Sequence, residues 1–231
     1  MKKAIIFSFI IPAILFASCE KDDLTEPVSI DFEFSMDTFQ LNEGGKQGLF
    51  EINKGTLIIQ TLELDGRRDQ GDDYFFSSSF VPPLKAELHT KTINQDVVYD
   101  IPQGIYNRIE LNLSIGVENE NALCFEGRFQ RGPMDDMPVV FEYAFQEHVR
   151  IRAKNKVGDD QIVISKENPL KARVVFNVPN MFQFVNMNMI RNAATTEING
   201  MQAIKINSQQ NTDIFNLLAA RLDNALYVVF E

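Results

Sequence analysis

The residues best suited to chemistry are the carboxylates of one short polar segment. Asp65, Asp69, Asp72 and Asp73 lie within nine residues, and two glycines there give the backbone freedom to curve around an ion. Calcium prefers six to eight oxygen ligands from such a loop. However, the spacing of an EF-hand is absent, and two neighbouring arginines neutralise part of the charge. The segment is therefore a weak candidate metal site, and an acidic hairpin loop is the simpler interpretation.

Histidine, cysteine and glutamate side chains give no stronger pattern. His89 and His148 stand about sixty residues apart, whereas a zinc site needs three or four ligands at short spacing. Cys124 lies in an apolar run and is expected to pack as a small buried hydrophobic residue. The carboxylates on or beside predicted strands, which leave a paired-carboxylate hydrolase open, are Glu126, Glu142 and Glu147. Since no nucleophile elbow, phosphate loop or dinucleotide fingerprint occurs, we predict no catalytic residues, metal or cofactor.

Aromatic composition bears on the class of ligand. The chain has 19 Phe, 5 Tyr and no Trp. Sugar-binding platforms usually present Trp or Tyr, whose rings tolerate water on one face, whereas Phe falls mainly at inward positions of alternating strands. The composition therefore disfavours a carbohydrate-binding module. A glycan-processing hydrolase, or an accessory protein to one, stays open as an alternative.

Period-two alternation of apolar and polar residues predicts that β-strands position these side chains. The alternation is clearest at residues 28–36, 109–115 and 170–178. Residues 74–80 are expected to pair with the strand at 55–64 across the polar loop. Turn residues separate roughly nine to eleven such runs, with no βαβ alternation between them. We therefore predict a mainly β chain built as an antiparallel sandwich.

The pattern changes after Pro179, which cannot donate to a β-ladder. Residues 180–194 are apolar with a helix-like start, and residues 211–222 place leucines on one helical face behind a cap at Asn211 or Thr212. A last predicted strand runs from 225 to 230. We therefore expect a small helical element near the C-terminus of one domain, residues 28–231. Two smaller sandwiches meeting near 155–160 are the alternative.

Residues 1–18 have the pattern of a secretory signal. Lys2 and Lys3 precede an apolar run that ends at Ala17 and is shorter than the ~20 residues of a spanning helix. The sequence Leu-Phe-Ala-Ser-Cys, ending at Cys19, resembles the lipobox of bacterial lipoproteins. That resemblance implies cleavage before Cys19, a diacylglyceryl group on its sulfur and an acyl group such as palmitate on its new amino group. Such multiple chains give stable membrane attachment, which a single chain does not.

Cleavage at that point would leave an acidic domain. Removing 18 of the 231 residues leaves 213, and the formal net charge moves from −10 to −12 because Lys2 and Lys3 are lost. So acidic a domain is a poor candidate for binding nucleic acid. Anionic lipid headgroups would also repel it, so the lipid itself must hold it at the membrane. With Cys19 acylated, Cys124 has no disulfide partner, and stability depends on core burial.

The segment after the cysteine indicates where the domain is displayed. The sequence Glu20-Lys-Asp-Asp23 resembles the surface-export signal of Bacteroidota lipoproteins. If it acts as one, the protein is anchored in the outer membrane and faces the outside of the cell. The lipidated tether, residues 19–27, spans at most ~30 Å before the first strand near Val28. We therefore expect the domain to lie close to the bilayer.

A wider resemblance covers residues 55–115. The strand from Gly55 through Asp65-Gly66, followed by Ile-Pro-Gln-Gly-Ile-Tyr at 101–106, resembles uncharacterised Bacteroidota lipoproteins. In these a Pro-x-Gly-x-Tyr turn leads into a strand of an immunoglobulin-like or transthyretin-like sandwich. The resemblance implies fold and location but brings no catalytic residues. We therefore expect a non-enzymatic, monomeric cell-surface lipoprotein that binds a protein or glycan ligand or mediates adhesion.

The main alternative is a fimbrillin-like pilus subunit, which would not be monomeric. Such sandwiches assemble by exchanging an edge strand, and the terminal strand Ala225–Phe230 is the segment expected to serve. A third class, a surface hydrolase, requires two carboxylates that converge in a cleft.

Overall fold

The computed structural model describes residues 26–42, 49–132 and 135–231, with the backbone only at 131, 132 and 135. The predicted signal sequence, Cys19 and all but the end of the tether lie outside the described residues. The described chain is mainly β. Its first strands are β1 Pro27–Met36, β2 Phe39–Asn42, β3 Leu49–Arg68, β4 Tyr74–Glu87, β5 Thr92–Ile93, β6 Val98–Pro102, β7 Gly104–Ile115 and β8 Leu123–Gly132. The later ones are β9 Asp135–Tyr143, β10 Glu147–Asn155, β11 Ile162–Ile164, β12 Lys171–Phe176, β13 Thr195–Ile198, β14 Met201–Ile206 and β15 Leu226–Phe230.

Short helices occupy the region after β12. They are α1 Val178–Met181, α2 Met187–Asn192, α3 Thr212–Ala219 and α4 Leu222–Ala225. Asparagine side chains start the first two, since Asn177 and Asn186 each accept a hydrogen bond from a backbone N–H of the first turn. The predicted helical stretch at 180–194 is therefore two separate turns of helix, while α3 begins at the predicted cap.

The strands form one hydrogen-bonded sheet of mixed direction. Its order is β13-β14-β9-β8-β3-β7-β10-β15-β12-β1-β6, with β2, β4, β5 and β11 attached beside this path. Most neighbours are antiparallel, as predicted, but β1 with β12, β10 with β15 and β14 with β9 are parallel. The expectation of a wholly antiparallel sheet is therefore not met. Alternation in one strand reports which face is buried, and it carries no information about the direction of a distant partner.

Strand β3 organises the sheet because it is long enough to join two sets of partners. Its first half pairs with β2 and β8, and its second half pairs with β4 and β7. The register of β3 with both β4 and β7 shifts between Ile59 and Thr61, which marks a β-bulge or a similar irregularity of the strand. The predicted hairpin between residues 55–64 and 74–80 is confirmed, although β3 continues to Arg68, beyond the predicted end at Asp65-Gly66.

A single hydrophobic cluster lies beneath the sheet and the helices. Alternating residues of the strands supply it, and phenylalanines fill much of it, as the sequence pattern predicted. The largest fully buried side chains include Phe32, Phe34, Phe50, Phe125, Phe129, Phe141, Phe176, Phe182 and Phe230. Rings pack against one another edge-on, for example Phe125 against Phe176 with centroids 4.9 Å apart.

Strands from both sides of residues 155–160 pair with each other. Strand β1 pairs with β12, β7 with β11 and β10 with β15, so the sheet continues across the boundary that the alternative of two smaller sandwiches predicts. The last strand, β15, lies between β10 and β12, with Leu226, Val228 and Phe230 buried. It is thus held by hydrogen bonds on both edges.

Candidate functional site

The acidic segment 65–73 forms the end of the β3–β4 hairpin, and arginine neutralises its carboxylates. The Arg67 guanidinium donates hydrogen bonds to Asp73 and lies 3.2 Å from Asp65. Bonds from Arg67 and from the backbone N–H of Arg68 lower the pKa of Asp73. Asp69 instead accepts a bond from the Asn107 amide at 3.1 Å. Asp65 and Asp73 therefore share Arg67, whereas Asp69 has a different partner.

Metal-ligating side chains are also far apart in the rest of the described chain. Among residues 26–42, 49–132 and 135–231, no three His, Cys, Asp or Glu side chains lie close enough to hold a metal ion. The weak candidate loop of Asp65, Asp69, Asp72 and Asp73 is thus an arginine-bridged hairpin end, and Asp72 lies exposed beside Asp73. Divalent cations need converging oxygens at short distance, which this arrangement does not supply.

Cys124 lies on the outer face of the sheet and is only half-buried. Its neighbours Leu123 and Phe125 are fully buried, and strand alternation then directs Cys124 outward, so the expectation of a core cysteine is wrong. Burial, followed by the charges of Glu126 and Glu142, raises the pKa of its thiol to about 11. A nucleophilic cysteine requires a lowered pKa, so the surroundings of Cys124 do not activate its thiol.

The three glutamates that left a hydrolase open do not form a catalytic pair. Glu126 lies 3.7 Å from Lys54, and Glu142 lies 2.9 Å from Lys205. Glu147 accepts a hydrogen bond from the hydroxyl of Tyr143 at 3.0 Å. Each carboxylate is therefore engaged by its own neighbour, and none of the three glutamates lines the three cavities described below.

A hydroxyl–imidazole contact does occur in the middle of the sheet. Ser114 Oγ lies 2.8 Å from His148 Nδ1 and 2.7 Å from the hydroxyl of Thr61. Backbone N–H groups on either side are used in the ladders of β3, β7 and β10. An acyl-transfer site needs free N–H donors to stabilise an oxyanion, whereas Ser114 lies on a strand that is paired on both sides. His89 lies apart from this contact, exposed in the turn after β4.

Gln103 forms a corner where three segments meet. Its side chain is buried, with 4% exposed, between the end of β6 and the start of β7. Gln103 Nε2 donates to the carbonyl of Glu26 at 2.9 Å, while Oε1 accepts from the backbone N–H of Lys166 at 2.9 Å. Lys166 also forms an ion pair with the Glu26 carboxylate. This corner fixes the point at which the chain from Cys19 enters the domain.

A cavity of about 330 Å³ opens beside that corner. It is lined by Arg68, Asp69, Gln70, Gly104, Ile105, Val163, Ile164 and Ser165. The Arg68 guanidinium donates to the carbonyl of Gln103 at 2.7 Å, and its buried Nε has no hydrogen-bond partner among the described residues. Gly104 is required here, because its φ is +149° and a Cβ atom would lie 3.1 Å from the guanidinium. The cavity is thus mainly apolar, with one cation at its edge.

A second depression continues from the first. It has a volume of about 230 Å³ and shares Val163 with the cavity beside Arg68. Its other residues include Val157, Leu170 and Phe230. Ile105 and Val163 are cross-strand partners of β7 and β11. The two depressions therefore share a rim of exposed aliphatic side chains.

A third depression, near the helices, is polar. Its volume is about 350 Å³, and its lining is Asn186, Asn188, Met189, Asn192, Ala193, Asn211, Asp213 and Ile214. Two of the amides are used structurally, since Asn186 caps α2 and Asn211 bonds the backbone of Ala194 and Lys205. The side chains of Asn186 and Asn211 are therefore held by backbone groups, which leaves fewer of the lining side chains to bind a ligand.

One strand edge is open along most of β4. Between Tyr74 and Phe80 the strand pairs with β3 on one side, and no described strand pairs with its other side. The ten residues Tyr74–Pro83 include no charged side chain. Phe75 is 62% exposed and the serines at 77 and 79 are exposed, while the ring of Phe76 packs on Tyr99 with centroids 4.1 Å apart.

Comparison with known proteins adds no relative. No protein-family model matches the chain, and no curated protein or solved structure matches it significantly. Across the three described ranges, no helix is both long enough and apolar enough to cross a membrane.

Proposed function

We propose that the chain is a lipoprotein anchored through Cys19 in the outer membrane, with a non-enzymatic domain on the cell surface that binds an extended segment of a partner polypeptide. The lipobox ending at Cys19 and the acidic export-like segment support the location. The single observation that supports binding is the open edge of β4. The proposal includes no cofactor, and it includes no nucleic acid because the chain carries a net charge of −10.

The edge is unusual because soluble proteins normally protect such strands. Free edges are usually short, charged or interrupted by proline, which prevents pairing with other chains. Here the seven residues Tyr74–Phe80 are uncharged, and proline follows only at Pro82 and Pro83. Unpaired backbone groups at an edge are satisfied best by an added strand, with specificity supplied by alternate side chains. Phe75 and the neighbouring serines would provide that side-chain surface.

A binding role also fits the state of the reactive groups. Burial raises the pKa of the Cys124 thiol to about 11, Glu142 pairs with Lys205, and Ser114 and His148 lie on paired strands of the sheet. A hydrolase requires two convergent groups within a cleft that excludes water. These contacts therefore favour recognition over catalysis.

We further propose that the sheet folds over itself as an immunoglobulin-like or transthyretin-like sandwich of the Bacteroidota lipoprotein type. Contacts between distant strands support this arrangement. The hydroxyl of Tyr74 on β4 donates to the carbonyl of Asp100 on β6 at 2.8 Å, and Phe76 packs on Tyr99. Strand β6 lies at one end of the sheet order, whereas β4 is attached to β3 in its middle, so these contacts bring that end of the sheet back against its middle.

Membrane fractionation and protease shaving test the location. The wild-type chain should remain with the outer membrane, and a Cys19→Ala variant should appear in a soluble fraction. Protease added to intact cells should degrade the anchored domain. A variant that stays membrane-bound, or a domain that survives on intact cells but is cut after lysis, would contradict the anchor or the outward orientation respectively.

Peptide selection tests the binding role. Peptides from a displayed random library, selected on the soluble Cys19→Ala protein, should protect the amides of residues 74–80 from hydrogen exchange. Ser79→Lys should weaken their binding about tenfold or more, equivalent to ~1.4 kcal/mol, because a lysine on an edge opposes strand addition. Ser208→Lys, an exposed loop substitution of the same kind, is the matched control. Selected peptides that bind both variants equally would refute the edge as the site.

A further inference from the structure

Three exposed aliphatic side chains lie together near the entry of the tether. They are Ile105, Val157 and Val163, with 41%, 73% and 54% of their surfaces exposed. Ile105 and Val163 face each other across β7 and β11, and Val157 and Val163 line one depression. These three residues are called the aliphatic patch below. Adjacent exposed aliphatic residues mark an interaction surface more often than single ones do.

The chain outside the described residues places this patch close to the lipid. Seven residue steps separate Cys19 from Glu26, so the tether reaches at most about 25 Å. Glu26 is bonded to Gln103 and Lys166. Ile105 follows Gln103 by two residues and Val163 precedes Lys166 by three. Along an extended backbone, Ile105 therefore lies about 7 Å from Gln103 and Val163 about 10 Å from Lys166, the two residues that bond Glu26.

We propose that the aliphatic patch rests on the surface of the lipid bilayer and orients the domain there. The proposal rests on the lipid anchor at Cys19, which holds the domain at an effective concentration on the order of mM near the membrane. At that concentration a few aliphatic side chains are enough to favour the docked orientation, whereas the same side chains would not bind a free domain to the membrane. The bilayer is thus the occupant that the tether brings within reach.

Charges around the aliphatic patch do not provide the attraction. Arg68 and Asp69 line the first depression, and Lys156 and Glu231 line the second. Anionic headgroups attract clusters of basic residues, and each such residue adds to the binding. Because basic and acidic side chains are mixed here, the aliphatic side chains must contribute the contact. Docking should therefore persist on zwitterionic lipid.

Fluorescence quenching on vesicles tests the proposal. The lipidated protein, carrying Cys124→Ala, is purified from the membrane fraction in detergent and reconstituted into phosphatidylcholine vesicles that contain a spin-labelled lipid. A polarity-sensitive fluorophore is attached at Val163→Cys or, separately, at Val157→Cys. Val81→Cys is the matched control, because Val81 is 91% exposed and lies on β4, outside the aliphatic patch.

The labels at 157 and 163 should be quenched several-fold more strongly than the label at 81. The same label at 163 in a Cys19→Ala protein should not be quenched, because that protein lacks the lipid anchor. If the protein floats with the vesicles and all three positions are quenched equally, docking is refuted while the anchor stands. If the protein does not float with the vesicles, the anchor is refuted and docking with it. Quenching at only one of 157 and 163 would also refute a shared patch.

Discussion

Replacement of Gln103 by alanine should destabilise the domain and loosen the entry of the tether. The side chain is 4% exposed and makes hydrogen bonds of 2.9 Å to the Glu26 carbonyl and from the Lys166 N–H. A typical intramolecular hydrogen bond contributes about 0.5–1.5 kcal/mol net. Two such bonds give about 1–3 kcal/mol, and the lower half of that range applies because Glu26 and Lys166 lie near water. The expected loss in the free energy of unfolding is therefore about 1–2 kcal/mol.

Thermal and urea unfolding of the soluble Cys19→Ala protein measure this loss. For a domain of this size each kcal/mol lowers the melting temperature by ~2–4 °C, so Gln103→Ala should melt roughly 2–8 °C lower. Gln95→Ala is the matched control, because Gln95 donates one bond to the Pro82 carbonyl at 3.1 Å from the surface. Its effect should be smaller, below about 1 kcal/mol.

Hydrogen exchange identifies the cause of the change. In Gln103→Ala the amide of Lys166 should exchange faster, while in Gln103→Glu it should stay protected because a carboxylate oxygen still accepts its hydrogen bond. The Glu variant should nevertheless be destabilised, since the donor to the Glu26 carbonyl is lost. Gln103→Ala with the melting temperature and Lys166 protection of the parent protein would refute the assigned role of the corner.

Two further predictions concern ionisable groups. Because burial raises the pKa of Cys124 to about 11, iodoacetamide should modify the folded Cys19→Ala protein slowly at pH 8 and faster toward pH 11. In urea the reaction at pH 8 should be much faster. Rapid reaction of the folded protein at pH 8 would contradict the raised pKa. The pKa of Asp73 is lowered by Arg67, so its carboxylate stabilises the fold above its unfolded pKa of about 3.9 and loses that effect as the pH falls through the lower folded value. The difference in urea midpoint between the parent and Asp73→Asn should accordingly be present at pH 6 and shrink below pH about 4, with Asp72→Asn as the control; a difference that grows on acidification would show the wrong sign.

Local signals in the sequence were sufficient for many elements. Alternation predicted β1, the second half of β7 and most of β12, because side chains of a strand point to opposite faces at every step. Helix α3 begins at the position predicted for its cap, Asn211 or Thr212, although the Asn211 side chain makes no capping hydrogen bond and instead bonds the backbone of Ala194 and Lys205. Such features depend on residues that are close together in the sequence, so a single sequence is enough to predict them.

The candidate sites depended on contacts that no local pattern contains. Gln103 bonds Glu26 and Lys166, which are 77 and 63 residues away, so sequence reasoning identified only the turn around it. Cys124 was expected in the core, yet the alternation of its own neighbours already pointed it outward. Two apolar residues at alternate positions, Leu123 and Phe125, already indicate that the residue between them lies on the opposite face of the strand.

The sequence by itself determined that this chain alternates as strands, that phenylalanine fills its interior and that Cys19 lies in a lipobox-like segment. Only the tertiary structure decided which strands are parallel, that β15 lies between two neighbours, and that one edge of β4 is left open. The physical reason is that periodicity fixes which face of a strand is buried, whereas strand direction and neighbours are set by packing between residues far apart in the chain.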